Sequence, residues 1–402
     1  MPLGPEPSIV PVLMFHSVGL RHLPWAWNHL SEPLERFTAF LDYLARNNFH
    51  TIGFGELRAH MTGEQRAPDQ SIVLTFDDGY LDNWVYVAPL LEKYGFRGTV
   101  FASTDFIDPG SGLRPSLSDA WSGTTGSGEL APAGFMNADE LRAVDRSGIL
   151  DVQSHARTHT WHYTGPRIVG WHRTAPPSPW PWMAWNARPD RKPFYLTEDQ
   201  SGFVLPGTPV LEHACALVAR RFVPDPDAVE AVRRAVLPLL EAGTTPAGRQ
   251  RLVDLAGSIT GPDGLPGQWE SEQKREARTT EEIAGSRRTL GEMLDKPIDT
   301  ICWPAGGSDE FCEQAAEDAG YASWTLRSSQ QRDKRNRPGA DPRGIRRLGG
   351  QRWVHFRGRS LGEGGTGYQR LQIDAHRGSA AAGALLRAYK LLKWARLVPA
   401  GT

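Results

Sequence analysis

Two adjacent carboxylates, Asp77 and Asp78, follow the apolar run 72–76 and precede Gly79. Neighbouring acids repel each other and are costly to desolvate, so their place beside a hydrophobic strand asks for a compensating cation. A second group of candidate ligands follows the strand-like run 149–153, in Ser154-His155-Ala156-Arg157-Thr158-His159. Histidines four apart share one face of a helix, so helical geometry lets His155 and His159 grip a single ion. Two imidazoles and one carboxylate make the open three-ligand set of a hydrolytic zinc site, with a position left for water. The plainer alternatives are a strand closed by an Asp-Gly turn and a pair of surface or capping histidines. A third histidine, His16, ends another apolar segment, 10–15.

The elements that must position these groups alternate as strand and helix. The spacing of Leu34, Phe37, Leu41 and Leu44 predicts a helix over 34–47, after a loop holding Trp25 and Trp27. A short strand at 49–52 and a helix at 54–61 precede the Asp-Asp strand. Helix 83–94, strand 98–102 and helix 137–146, capped by Asn137, come next, with a Gly/Ser/Pro-rich stretch at 108–133 that reads as a long loop or lid. Helices at 279–294 and 310–319 flank the strand-to-turn segment Thr300-Ile301-Cys302-Trp303-Pro304-Ala305-Gly306-Gly307. Repeated strand–helix order with chemistry at strand ends suggests a closed or nearly closed parallel barrel.

These residues resemble a known family. Thr75-Phe76-Asp77-Asp78-Gly79-Tyr80 and the His155/His159 segment look like the first two motifs of the NodB-homology polysaccharide deacetylases, and the likeness extends over 10–16, 34–54, 93–104 and 279–325. The resemblance implies an irregular seven-stranded (β/α) barrel, with Asp77 as general base and Asp78, His155 and His159 holding one divalent metal. Zinc is the leading ion, and the ligand types also admit cobalt, nickel or iron(II). With its histidine strand placed first, the chain is similar to the permuted branch that includes the poly-N-acetylglucosamine deacetylases, which makes His16 the general acid. The alternative is a strand-end histidine satisfied by backbone. The third motif departs from the family twice: its arginine is replaced by Cys302 or Trp303, and its tyrosine by Ala305. The backbone N–H of Ala305 can still meet an oxyanion, since that role needs no side chain. Arg346 and Arg347, in the strand-like segment 344–348, are the candidates for the cation that orients Asp77.

The expected partition is a first barrel part at 1–159, an insertion at 160–268, a second barrel part at 269–355 and a tail at 356–402. Roughly a hundred inserted residues are too many for a structureless loop. The insertion carries Trp161, Trp171, Trp180, Trp182 and Trp185 among prolines, then helical patterns at 211–221 and 227–240. The tryptophans either form a small core of their own or line the cleft, where Trp161, Trp171 and Trp303 would stack on sugar rings.

The 402 residues carry 45 Lys and Arg against 46 Asp and Glu, so charge gives no argument for a nucleic-acid partner. No apolar run approaches a membrane span, the opening 1–11 lacks the pattern of a secretion signal, and the three cysteines are too few for a disulfide framework. Cytoplasm is the expected compartment. The basic helix over 380–398, with Arg387, Lys390, Lys393 and Arg396 among leucines, either packs on the barrel or contacts a membrane surface. The implied partner is a carbohydrate. The implied reaction removes an N-acetyl group from an amino sugar in a polysaccharide or glycan precursor. The rival readings are deformylation or another amide hydrolysis on a lipid-linked sugar, and a catalytically silent glycan-binding protein.

Overall fold

The computed structural model of the protein describes residues 8–173, 178–241, 246–326, 335–349, 353–356, 359–363 and 366–397. Residues 1–7 of the opening segment, and 398 at the end of the expected C-terminal helix, lie outside them.

The strands of the main sheet and of the longest ribbon of the insertion are β1 (Val12–Phe15), β2 (His50–Thr51), β3 (Ser71–Asp78), β4 (Gly98–Ala102), β5 (Leu150–Ser154), β6 (Trp161–Trp171), β7 (Pro209–Cys215), β8 (Thr300–Ile301), β9 (Ser323–Thr325), β10 (Gly344–Ile345) and β11 (Leu348–Gly349). One parallel sheet runs β10-β9-β8-β5-β4-β3-β1-β11, with β2 added beside the start of β3. Its two edges, β10 and β11, are consecutive in sequence and separated only by Arg346 and Arg347. The sheet therefore curls until one run of chain joins both edges. Counting that run as a single interrupted strand leaves seven positions around the ring (eight on the path, less one). The expected strand at 344–348 is thus split, each half pairing with a different neighbour.

Strand alternation sorts the side chains. Ile72, Leu74 and Phe76 point outward into a core shared with Phe37, Phe40, Leu41 and Leu44 of the helix Leu34–Arg46 and with Leu141 and Val144 of Ala138–Arg146. Val73 belongs to a separate inner core with Val12, Phe101, Cys302 and Ile345, one residue from each of several strands, and Phe54, Leu57 and Met61 join it. A period of two then carries Asp77 inward with Val73 and Thr75, and His16 inward with Val12 and Met14. β3 is buried along all eight residues, as a strand covered on both faces must be.

The insertion differs from its sequence pattern. The expected helix over 211–221 is instead the second part of strand β7, to Cys215, followed by a turn; β7 runs antiparallel to β6, with Trp161 opposite Cys215 and Trp171 opposite Pro209. Pairing with a long neighbouring strand overrides local propensity, and Arg167 and Glu212 form an ion pair across the ribbon. The helix Pro226–Glu241 matches its expectation closely. The stretch 108–133 is not a free lid: it contains the helix Leu117–Ser122 capped by Ser116. Arg114 pins it to Glu140 at 2.7 and 2.6 Å and, within the stretch, pairs with Asp108 at 3.1 Å. Near the C-terminus, the helix Ala380–Leu397 packs Leu386, Tyr389 and Trp394 onto Val354, Leu361 and Tyr368.

Candidate active site

The carboxyl end of the barrel opens into a cavity of about 560 Å³ whose walls include His16, Asp77, Asp78, His155, His159, Ala305 and Arg347. Strand ends bring together every catalytic and metal-binding residue expected from the sequence. Backbone conformation concentrates there too: Asp78, Ala156, His159 and Ala305 have positive φ, four of the seven non-glycine residues that do so among those described. Such conformations persist only where the surroundings enforce them, and they gather at functional sites.

The two carboxylates have different partners. Asp77 accepts two hydrogen bonds from Arg347, Nη1 to Oδ1 at 2.6 Å and Nη2 to Oδ2 at 2.9 Å. Of the two candidate cations, Arg347 is therefore the one that orients Asp77; the Arg346 guanidinium donates to the Gly344 carbonyl. The Cys302 thiol adjoins the same pair, 3.5 Å from Asp77 Oδ2 and 2.9 Å from Arg347 Nη2. Burial pushes the Asp77 carboxyl up, but Arg347, His155 and His16 outweigh it and hold Asp77 below its ordinary range. His16 Nε2 lies 3.9 Å from Asp77 Oδ2. Burial lowers the His16 imidazole, against the opposing pull of both aspartates.

Asp78 instead faces the two histidines. Its Oδ1 is 3.2 Å from Nε2 of His155 and 3.2 Å from Nε2 of His159. That buried oxygen has no directed hydrogen bond. The histidines do not project from a helix: the residues after β5 turn irregularly, with left-handed backbone at Ala156 and His159, and this turn folds both rings toward Asp78. His155 Nδ1 is fixed by the Cys302 carbonyl at 2.8 Å, which leaves Nε2 pointing into the site.

Among the described residues, two groups have ligand atoms close enough to share an ion: Asp78 with His155 and His159, and Asp77 with His155 and Cys302. The second is already occupied by the Arg347 guanidinium. The first offers an orphaned oxygen and two imidazole nitrogens converging on one point. Burial acts to lower His155, yet Cys302 and both aspartates push it well above its ordinary value, so the site draws positive charge. A divalent cation meets that demand, and the donor set fits one.

Trp161 and Trp303 line the cavity, as does Trp27, which the sequence pattern did not single out. Trp27 stands 5.6 Å from Trp161, 5.2 Å from Trp185 and 6.2 Å from the His159 ring, centroid to centroid. Its position in a loop just after the His16 strand was the available signal. Trp171 is not brought to the cavity; it packs with Leu211, Phe222 and Val232 on the far part of the insertion. Trp182 and Trp185 form an aromatic core with Trp25, Tyr80, Phe106 and Phe135. Trp182 and Trp185 thus share their core with aromatics outside the insertion, and Trp161 lines the cavity.

The polysaccharide deacetylase family profile matches residues 64–174, the stretch that holds Asp77, Asp78, His155 and His159. The chain carries a polysaccharide deacetylase domain. YxkH of Bacillus subtilis strain 168, named as a polysaccharide deacetylase, is 32% identical over 96 residues, covering 24% of this chain and 32% of that protein. The poly-beta-1,6-N-acetyl-D-glucosamine N-deacetylase of Escherichia coli K12 is 25% identical over 124 residues, 30% of this chain and 16% of its own length. The matches thus span a third or less of these relatives. Among solved structures, a de-N-acetylase from Aggregatibacter actinomycetemcomitans aligns with a TM-score of 0.50 at 16% identity, covering 84% of this chain and 94% of that one. The BpsB deacetylase domain of Bordetella bronchiseptica aligns with a TM-score of 0.50 at 17% identity, covering 85% and 97%. At such identities the likeness establishes the barrel fold of the deacetylase domain and nothing finer.

Proposed function

We propose that the protein is a metal-dependent amide hydrolase that removes an N-acetyl group from an amino sugar in a polysaccharide or glycan precursor. The observation that carries this reading is the division of labour between adjacent carboxylates: Asp77 held by Arg347 beside His16, and Asp78 turned to the two histidines. A binding protein has no need of the first arrangement.

Asp78, His155 and His159 would hold a divalent ion, which would supply Lewis acidity and make water easier to deprotonate near neutral pH. Asp77, kept ionised by Arg347, accepts the proton of the attacking water. The Ala305 N–H is the oxyanion donor, carried on a left-handed turn at the rim of the cavity. His16 delivers a proton to the departing nitrogen, which cannot leave as an amide anion. Trp27 and Trp161 offer flat apolar surfaces to a sugar ring. The named substrate of the Escherichia coli relative makes β-linked N-acetylglucosamine oligomers the first compounds to try.

Acetate release from such oligomers, measured with metal content for wild type, Asp77→Asn and His155→Ala, tests the proposal. The expected result is turnover by the metal-loaded wild type, metal without turnover in Asp77→Asn, and loss of both in His155→Ala. Near-normal turnover by Asp77→Asn overturns the base assignment. Formate release from N-formyl sugars in place of acetate points to deformylation, and binding without release points to a silent glycan-binding protein.

A further inference from the structure

One buried cation of the insertion reaches the turn that carries the metal-facing histidines. Lys192, in the short helical turn Pro189–Phe194, is 2% exposed. Its Nζ donates to Asp105 Oδ2 at 3.1 Å and to the Thr158 carbonyl at 2.9 Å. Thr158 directly precedes His159. From the opposite side, the Thr158 N–H donates to Glu282 Oε2 of the helix Glu272–Leu294 at 2.9 Å. Asp105 also binds the preceding residue, through Arg157 Nε at 3.2 Å and through its own N–H to the Arg157 carbonyl at 3.1 Å. The peptide groups before His159 are thus gripped between a barrel helix and the insertion.

That grip has work to do, because Ala156 and His159 hold left-handed backbone at φ of 56° and 40°. A non-glycine residue in that region is strained, and neighbours must hold it there. A lysine this buried is itself stable only when paired, so Lys192, Asp105 and the turn depend on one another.

We propose that the insertion, through Lys192, is part of the scaffold that positions His159, so that seating of the insertion and metal binding are thermodynamically coupled. Lys192 is a positioning residue, and the inference rests on Asp78, His155 and His159 being the ligands. Coupling is reciprocal: what Lys192 contributes to metal affinity, bound metal returns to the docking of residues 189–194.

Titration of the metal-free full chain with Co²⁺, followed by its visible spectrum, with Zn²⁺ competition, reads the affinity. Lys192→Met should bind about 10–100-fold more weakly, the usual loss when a group supporting a ligand is removed, with altered cobalt bands. Arg167→Ala, which breaks an exposed ion pair elsewhere in the insertion, should bind as wild type does. Hydrogen exchange of wild type should slow across 189–194 when Zn²⁺ is added. Wild-type affinity and spectrum in a folded Lys192→Met overturns the proposal. If that variant does not fold, absence of zinc-dependent protection at 189–194 in the wild type overturns it instead. Unchanged cobalt binding by His159→Ala would strike the ligand assignment, a distinct failure.

Discussion

Arg347→Met leaves Asp77 as a buried carboxylate without its cation, and the structure sets the size of the effect. The pair is bidentate at 2.6 and 2.9 Å, and the side chains are only 10% and 4% exposed. Removing one member of a buried ion pair costs about 3–5 kcal/mol, mostly the stranded charge. Asp77→Asn alone strands the guanidinium with a comparable loss. The double variant Arg347→Met/Asp77→Asn strands neither, so it should be no less stable than either single variant, which makes the coupling at least about 3 kcal/mol in a urea-unfolding cycle. The single variant also carries a kinetic signature. Burial raises the Asp77 carboxyl and Arg347 leads the groups that lower it. Without Arg347 the base stays protonated to higher pH, and the acid limb of kcat/KM moves upward. Additive losses in the cycle, or an unmoved acid limb in a folded and active variant, would refute the claim that this pair holds the base.

Asp82 tests pH-linked stability: burial pushes it from 3.8 up to about 7 despite hydrogen bonds from Ser17, Val18 and Asn83. A raised carboxyl stabilises the fold fully below 3.8 and loses that contribution as pH rises through 7, on the order of 4 kcal/mol in all. Asp82→Asn should flatten this slope between about pH 4 and pH 7 in urea melts, and an unchanged slope contradicts the burial argument. His16→Gln should depress amide hydrolysis strongly and activated aryl-ester hydrolysis much less, because an aryloxide hardly needs a proton; equal losses would make His16 structural. The helix Ala380–Leu397 leaves Leu385, Leu391 and Leu392 exposed at 59%, 47% and 65%. If that face meets anionic membranes, full-length protein co-sediments with anionic liposomes at low salt and a version truncated after Gly378 does not. Both forms in the supernatant would retire the idea.

The legible parts of the sequence were those set by period and punctuation. β3, β4 and the helices Ala138–Arg146 and Glu310–Ala319 stand within a residue or two of their expected places, because burial on one or both faces leaves a readable pattern. The strand-end position of Asp77, Asp78 and His16 was legible for the same reason. Long-range pairing was not. Residues 211–221 carry a helix-like pattern, and only the presence of β6 makes β7 a strand. Spacing suggested a helical His155/His159 pair, whereas a turn pinned by Lys192 and Glu282 does the work. Arg346 and Arg347 were indistinguishable until the split between β10 and β11 fixed which guanidinium turns inward. Trp171 and Trp161 look alike in sequence and lie at opposite ends of the same strand.

The joining of both sheet edges by residues 344–349 has a consequence for synthesis. A chain grown as far as the helix Glu310–Ala319 already holds β1, β3, β4, β5 and β8, yet β1 has no neighbour on its outer side. Until Leu348 arrives opposite Leu13, that strand is an open template for pairing with other chains. Asp77 is meanwhile without Arg347, the leading group that offsets its burial. Ring closure and neutralisation of the base are thus delivered together, by one six-residue run made after every other strand of the ring. Ribosome-stalled or truncated products ending before Gly344 should be the species that chaperones retain and that aggregate when released.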